Sequence, residues 1–296
     1  MKKYILIILV VVITQVAFSQ QFATNSQYML FKYSTNPAFV GTNGFEIGAS
    51  YKQYWAGFND APNIKQAYAS SSISKSMGVG GRIYSFSTGL ISNNGFEAIY
   101  SYKFKLSNNL NLSMGISAML EQHNLNTAGI ETKNKNDILA LSASDNFVNY
   151  NSNAGLLLYN DDFYFGLSTY YLLPSNVNFA SDYIVNQQER HYFINAGYNI
   201  DINNNFRLTP TLLFKYIESG AFQIDIGANL LIKETVFVGA NYRYNSAAIF
   251  MAGINIDNIK FGYAYDYLLS DINSYSNGSH EIIIILQIGK NRSSKF

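Results

Sequence analysis

The sequence has no cysteine. That excludes a disulfide scaffold, thiol catalysis, cysteine-bound zinc and a lipid anchor on an N-terminal cysteine. Proline occurs only 4 times and tryptophan once. Charged residues make up 13% of the chain, about half the usual share of a soluble domain. The net charge is +1 with no long basic run, which excludes a nucleic-acid partner. No apolar run approaches the roughly twenty residues of a spanning helix. What the chain has in quantity is 24 Tyr, 21 Phe and 21 Gly in 296 residues. Those residue types favour strands and turns over helices, and such an aromatic content opposes disorder.

The N-terminus reads as an export signal. Lys2 and Lys3 precede an apolar run from Tyr4 to Ile13, and Ala17 and Ser19 put small residues before a cut near Ser19–Gln20. Residues 1–19 are thus expected to be a cleaved signal peptide. Residues 20–43 form an N-terminal segment, expected at the periplasmic end or in the lumen as a plug. Residues 44–289 are the body of the protein and 290–296 a short tail.

The body alternates. Phe222, Ile224, Ile226, Ala228 and Leu230 are interleaved with Gln223, Asp225, Gly227 and Asn229; Ile259, Phe261, Tyr263, Tyr265 and Tyr267 with Lys260, Gly262, Ala264 and Asp266. Period two means strands with two unlike faces. The second face is Gly, Ser and Asn with an occasional charge, and the first is rich in Tyr and Phe. This is a barrel turned inside out, with lipid outside and a polar interior. A slip by one residue would turn Lys260 and Asp266 to lipid, at about 2–4 kcal/mol for a lysine at the midplane. The inward set Lys103, Arg207, Asp225, Arg243, Lys260 and Asp266 mixes both signs, which predicts internal ion pairs.

Fourteen strands are expected in an all-β, antiparallel, up-and-down transmembrane barrel: 44–56, 64–75, 78–88, 94–105, 109–123, 150–160, 162–173, 190–202, 205–218, 221–233, 235–245, 247–257, 259–269 and 279–289. Pro210 falls inside the ninth and marks a candidate bulge. Links after even strands are tight. Links after odd strands are long at 57–63, 88–94, 124–149, 174–189 and 269–279, and short around Ser219 and Ser246. Bacterial barrels place short turns in the periplasm and longer loops outside.

Chemistry is sparse. His123, His191 and His280 lack metal-ligand spacing. Ser279 and His280 are strand neighbours and point to opposite faces. Asp161–Asp162 sits in a tight turn. The run from Gly78 to Gly81 lacks the Lys-Ser/Thr ending of a phosphate loop. Trp55, near the outer end of the first strand, fits an interfacial girdle, with a partner role open. No catalytic residue, cofactor or metal is expected.

Several segments resemble the PorP/SprF family of Bacteroidota. SQYMLFKYSTNPAFVG (Ser26–Gly41) is similar to its SQYM…NPAxxG opening, and YKQYWAGFNDAP (Tyr51–Pro62) to its first hairpin. GVGGRIYSFSTGL, FYFGLSTYYLLPSN and YDYLLSDINSYSNGSHE (Tyr265–Glu281) resemble later segments in order. Two departures stand out: Tyr54 separates Gln53 from Trp55, and Asp60 stands where the family often has glycine. The resemblance implies an outer-membrane barrel of the type IX secretion and gliding machinery. Its implied partners are periplasmic components, membrane lipid and an exported adhesin or its C-terminal domain. The implied partner-binding positions are Asn36, Pro37, Gly41, Tyr51, Gln53, Trp55, Gly57, Phe58, Ala61, Pro62, Tyr265, Asp266, Ser270, His280 and Glu281. A passive porin or small-molecule transporter is the alternative reading. An outer-membrane enzyme and a soluble secreted β-protein fit less well.

Overall fold

The structure, a computed structural model, describes residues 24–126, 144–179 and 183–289. The expected signal peptide 1–19 and tail 290–296 lie outside the described residues. In chain order the strands are β1 (Phe45–Gln53), β2 (Asn63–Ser72), β3 (Met77–Thr88), β4 (Ile91–Ser107), β5 (Leu110–Asn126), β6 (Ser144–Tyr159), β7 (Phe163–Tyr170), β8 (Ser175–Phe179), β9 (Tyr183–Gln188), β10 (His191–Tyr198), β11 (Ile200–Asn203), β12 (Phe206–Ile217), β13 (Phe222–Ile232), β14 (Val236–Arg243), β15 (Ala247–Ile256), β16 (Ile259–Leu268) and β17 (Ser279–Ile288).

Each barrel strand pairs antiparallel with its sequence neighbour, and β1 also pairs with β17, from Phe45 opposite Ile288 to Gln53 opposite His280. The sheet therefore closes. β10 and β11 are two pieces of one strand alongside β12, and β8–β9 is a separate hairpin. The result is a closed antiparallel barrel of 14 strands, as the alternation predicts. Closure removes every edge in the ring, which a sheet in lipid requires.

The alternation sets the faces. In β1, Glu46, Gly48, Ser50 and Lys52 are buried, while Phe45, Ile47 and Tyr51 are exposed. The same inversion recurs in β13, where Asp225 is buried and Ile226 exposed. Four times an inward aromatic lies over a glycine directly across from it: Tyr68 on Gly48, Tyr84 on Gly95, Tyr164 on Gly197 and Phe237 on Gly253. A Cβ at those glycines would stand 2.1–2.4 Å from the ring. The missing side chain is what lets the ring lie flat against the wall and fill the lumen.

Pro210 does not bulge its own strand. β12 pairs without interruption along β13, with Pro210 opposite Ala228. The break falls on the other neighbour, at Asn199 between β10 and β11. Proline offers no N–H to that ladder, so the partner strand is free to part there. Asn199 turns its N–H to Asp162 and accepts a bond from Thr209.

The loops correct the expectation in one place. The link from 88 to 94 is short: β3 and β4 join at Gly89–Leu90, with Gly89 at φ +54°. Ser92, Asn93 and Asn94 carry no apolar alternation, yet they pair in full with Ser85–Ser87. On that rim, long links remain at 54–62, between β5 and β6, across the β8–β9 hairpin, and at 269–278. Every link on the opposite rim is tight.

Residues 24–43 lie inside the ring. Tyr28, Phe31, Tyr33, Ala38, Phe39 and Val40 are all buried, and the segment touches inward-facing side chains on strands all round the barrel. Thr24 sits toward the long-loop rim, beside Gln223 and Tyr54. Gly41 sits at the tight-turn rim, beside Gly78 and Lys103.

Candidate functional site

Two groups of residues stand out: those that seat the N-terminal segment, and those that tie two loops together above it.

The first anchor is ionic. Ser26 Oγ donates to Asp266 on β16, at 2.6 and 2.7 Å to the two carboxylate oxygens, and accepts from Lys52 Nζ of β1 at 2.5 Å. Lys52 Nζ also reaches Asp266 Oδ2 at 2.9 Å, with both side chains essentially buried. Arg243 on β14 grips Asp225 on β13 with two nitrogens and lies 3.7 Å from Asp266. The backbone N–H groups of Ser26 and Gln27 donate to Glu281 of β17 at 2.7 and 3.1 Å. Buried charges are tolerable when each is paired and its remaining lone pairs are satisfied. Here the Ser-Gln pair of the N-terminal motif supplies that satisfaction. Residues 255 apart in sequence thus meet in one cluster.

The second anchor is the Asn-Pro turn. Asn36 caps a short 3-10 turn over Pro37–Phe39, its Oδ1 accepting from the Ala38 N–H at 2.9 Å, with proline at the first position. Its Nδ2 donates to the carbonyls of Leu156 and Leu167, on β6 and β7. The turn can approach because the wall beneath it is glycine. A Cβ at Gly115 would stand 2.4 Å from the Ala38 nitrogen, and one at Gly155 2.1 Å from Asn36 Oδ1. Gly41 ends the motif at φ +72°, packed on Gly78; its N–H bonds Ser70 and its carbonyl accepts from Lys103 at 2.7 Å. Between the anchors, Tyr28 bonds Thr211, the Thr35 carbonyl accepts from Ser168, and the Tyr33 carbonyl accepts from Tyr170.

The rim group joins the loops 54–62 and 269–278. The N–H of Ala56 donates to the carbonyl of Gly278, and that of Asn277 to the carbonyl of Ala56, both at 2.7 Å. The Trp55 N–H donates to Ser279 Oγ, and the Gly89 N–H to the Asp60 carbonyl. Trp55 and Asp60 both have positive φ, as does Gly57 at +99°. A left-handed backbone favours glycine and tolerates aspartate, which gives a physical reason for either residue at position 60. The exposed apolar side chains Phe58, Leu90, Leu269 and Tyr275 crown this rim.

Trp55 does not join a lipid-facing girdle. It packs against the buried, inward-facing cluster that Ala247, Ile249, Met251, Ala264 and Leu268 form on β15 and β16. Its φ of +45° lies outside the extended range and ends the alternation that would have turned the ring to the outer face.

The sequence-derived positions therefore divide into three. Asn36, Pro37 and Gly41 of the segment, and Asp266 and Glu281 of the wall, lie on the lumen side but in separate anchors. Gln53, Trp55, Gly57, Phe58, Ala61, Pro62 and Ser270 lie at the long-loop rim. Tyr51, Tyr265 and His280 face outward, with Tyr263 Oη 2.7 Å from His280 Nδ1.

Sequence reading missed Lys52, Arg82, Glu97 and Glu121. Arg82 Nη2 lies 2.8 Å from Glu97, and Glu97 also accepts from Ser117 and Asn153. Glu121 accepts from Tyr84, Tyr171 and Gln188. Burial, reinforced by the nearby Glu121 charge, holds the Tyr171 hydroxyl well above the usual phenol range. Both Lys52 and Arg82 stand on the inward face of alternating strands, Lys52 after Glu46, Gly48 and Ser50 in β1 and Arg82 between Gly80 and Tyr84 in β3. The expected internal pairing of charges is present, as Asp225–Arg243 and Asp266–Arg243. The three histidines stand on β5, β10 and β17, each with different neighbours.

Solved barrels share this architecture. The toluene transporter TbuX of Ralstonia pickettii superposes with a TM-score of 0.53 at 11% identity, covering 86% of this chain and 92% of that one. The monoaromatic hydrocarbon channel CymD does so with a TM-score of 0.53 at 11% identity, covering 90% and 94%. At such identity the likeness is one of fold. No curated protein sequence matches. The model of one family, the type IX secretion system membrane protein PorP/SprF, matches residues 17–286, which takes in both anchors of the lumen segment and both rim loops, and the chain belongs to that family.

Proposed function

We propose that this protein is a non-enzymatic outer-membrane scaffold of the type IX secretion and gliding machinery. It positions or anchors an exported surface protein at its long-loop rim and couples to periplasmic components at its tight-turn rim. Residues 24–43 act as a plug. The observation that carries this reading is the N-terminal segment bonded across the lumen from Ser26 to Gly41. A barrel filled by its own chain is built to hold a shape rather than to pass solutes. The rim supports the same reading: two loops are tied by backbone bonds and crowned by Phe58 and Tyr275. Exposed aromatic side chains on a rigid base suit protein contact.

The test is a mild-detergent purification of the tagged protein from native outer membranes, followed by mass spectrometry. The proposal expects type IX components from the periplasm and an exported surface protein. Recovery of the barrel alone, together with an open conductance in a bilayer, would favour a porin.

A further inference from the structure

We infer that the pocket at the tight-turn mouth of the barrel binds an acidic peptide segment. The pocket has a volume of about 480 Å³ and lies between the end of the lumen segment and the turns after β2 and β6. Lys32, Lys75 and Lys103 line it, against one carboxylate, Asp161. Lys103 spends one donor on the Gly41 carbonyl at 2.7 Å, which fixes its ammonium at the pocket wall. Lys32 Nζ is held 5.4 Å from the ring centres of both Phe39 and Tyr164. Among the described residues neither Lys75 nor Lys103 has a carboxylate within 4.0 Å. Elsewhere in the lumen Lys52, Arg82 and Arg243 all have one. With three lysines against the one carboxylate of Asp161, this mouth keeps an excess of positive charge, in a concave site where field lines are focused.

The walls select the kind of anion. Phe39, Tyr159 and Tyr164 give an apolar flank beside the lysines. Lys32, Phe39 and Tyr164 belong to the inside of the strand ring, so the wall of the barrel separates them from membrane lipid. A lipid headgroup would need to leave the bilayer to enter. A flexible chain carrying two or three carboxylates fills the length, pairs the lysines and lays its stems on the rings. The inference deepens the proposed coupling to periplasmic components. It rests on that reading for the side of the membrane, but not for the binding chemistry.

The experiment uses the full-length protein in detergent micelles and a fluorescein-labelled tetraglutamate peptide, followed by anisotropy. Tetraglutamate is expected to bind at least about tenfold more tightly than tetraglutamine, and to weaken steeply as salt is raised. Lys75→Gln with Lys103→Gln is expected to lose about tenfold or more, with heat-modifiable gel mobility reporting that the barrel is intact. Lys75→Gln alone, on an exposed turn, is expected to lose part of it and serves if the double variant does not fold. Equal binding of the two peptides, or unchanged binding by both variants, would overturn the inference. So would equal displacement by inorganic phosphate, which would make this a simple anion site, or by anionic lipid micelles. A photo-crosslinker placed at Lys75 in cells separates the two readings. Capture of a periplasmic protein through an acidic segment supports both. Peptide binding in vitro with capture only of extracellular proteins would overturn the periplasmic side while leaving the pocket chemistry standing.

Discussion

Asn36 sits where Gly155 leaves room: a Cβ on that glycine would stand 2.1 Å from Asn36 Oδ1 of the side-chain amide. A capping side chain and a wall position are thus fitted to one another across the lumen. The Asn-Pro-Ala sequence makes the turn, and the glycines of β5, β6 and β7 receive it.

Gly155→Val is expected to unseat the turn and leave the barrel closed, because the alternation in β6 is unchanged. Limited trypsin digestion should then cut after Lys32 about tenfold faster or more, the factor that corresponds to about 1.4 kcal/mol of lost seating. Heat-modifiable mobility should be retained. Cleavage at the native rate would mean that the segment is held without this contact.

Asp266 and Lys52 are not equivalent partners. Asp266→Asn leaves the buried Lys52 ammonium with no carboxylate within 4.0 Å among the described residues. Lys52→Met leaves Asp266 with Arg243 at 3.7 Å and the Ser26 hydroxyl. Breaking a buried pair costs about 3–5 kcal/mol when the remaining charge is stranded. Asp266→Asn should therefore approach that cost in urea unfolding, and Lys52→Met should fall clearly below it. The reverse order would contradict the placement of these charges.

Trp55 is the sole tryptophan, so its fluorescence reports one site. Packed on the inward cluster of β15 and β16, it should show little quenching by brominated acyl chains after reconstitution. Strong quenching would return it to a lipid-facing girdle.

Exchanging residues 54–62 and 269–278 together for unrelated loops is expected to abolish retention of the surface partner and to leave barrel assembly intact. Retention unchanged in cells, measured by co-purification, would remove the rim from the account.

The strands were legible because the two faces of the wall meet different solvents. A lipid face must be apolar and a lumen face need not be, so period two survives in β1, β13 and β16. It fades in Ser92–Asn94, where polar residues occupy both faces, and there the alternation underestimates the length of β4. The charged cluster was half legible. Asp225, Arg243, Asp266 and, in β1, Lys52 all stand on the inward face of alternating strands, but alternation does not say which of them pair. The pairing of Ser26 with Asp266, and of Ser26 and Gln27 with Glu281, has no local signature, since it joins the two ends of the chain. The girdle reading of Trp55 failed for a related reason: its direction is set by backbone φ, which spacing does not reveal.

Single-channel conductance in planar bilayers tests the central claim most directly, comparing the intact protein with one lacking residues 24–43. The account predicts that the intact barrel stays closed and that the deletion opens a steady conductance. A large open conductance of the intact protein, unchanged by the deletion, would contradict it.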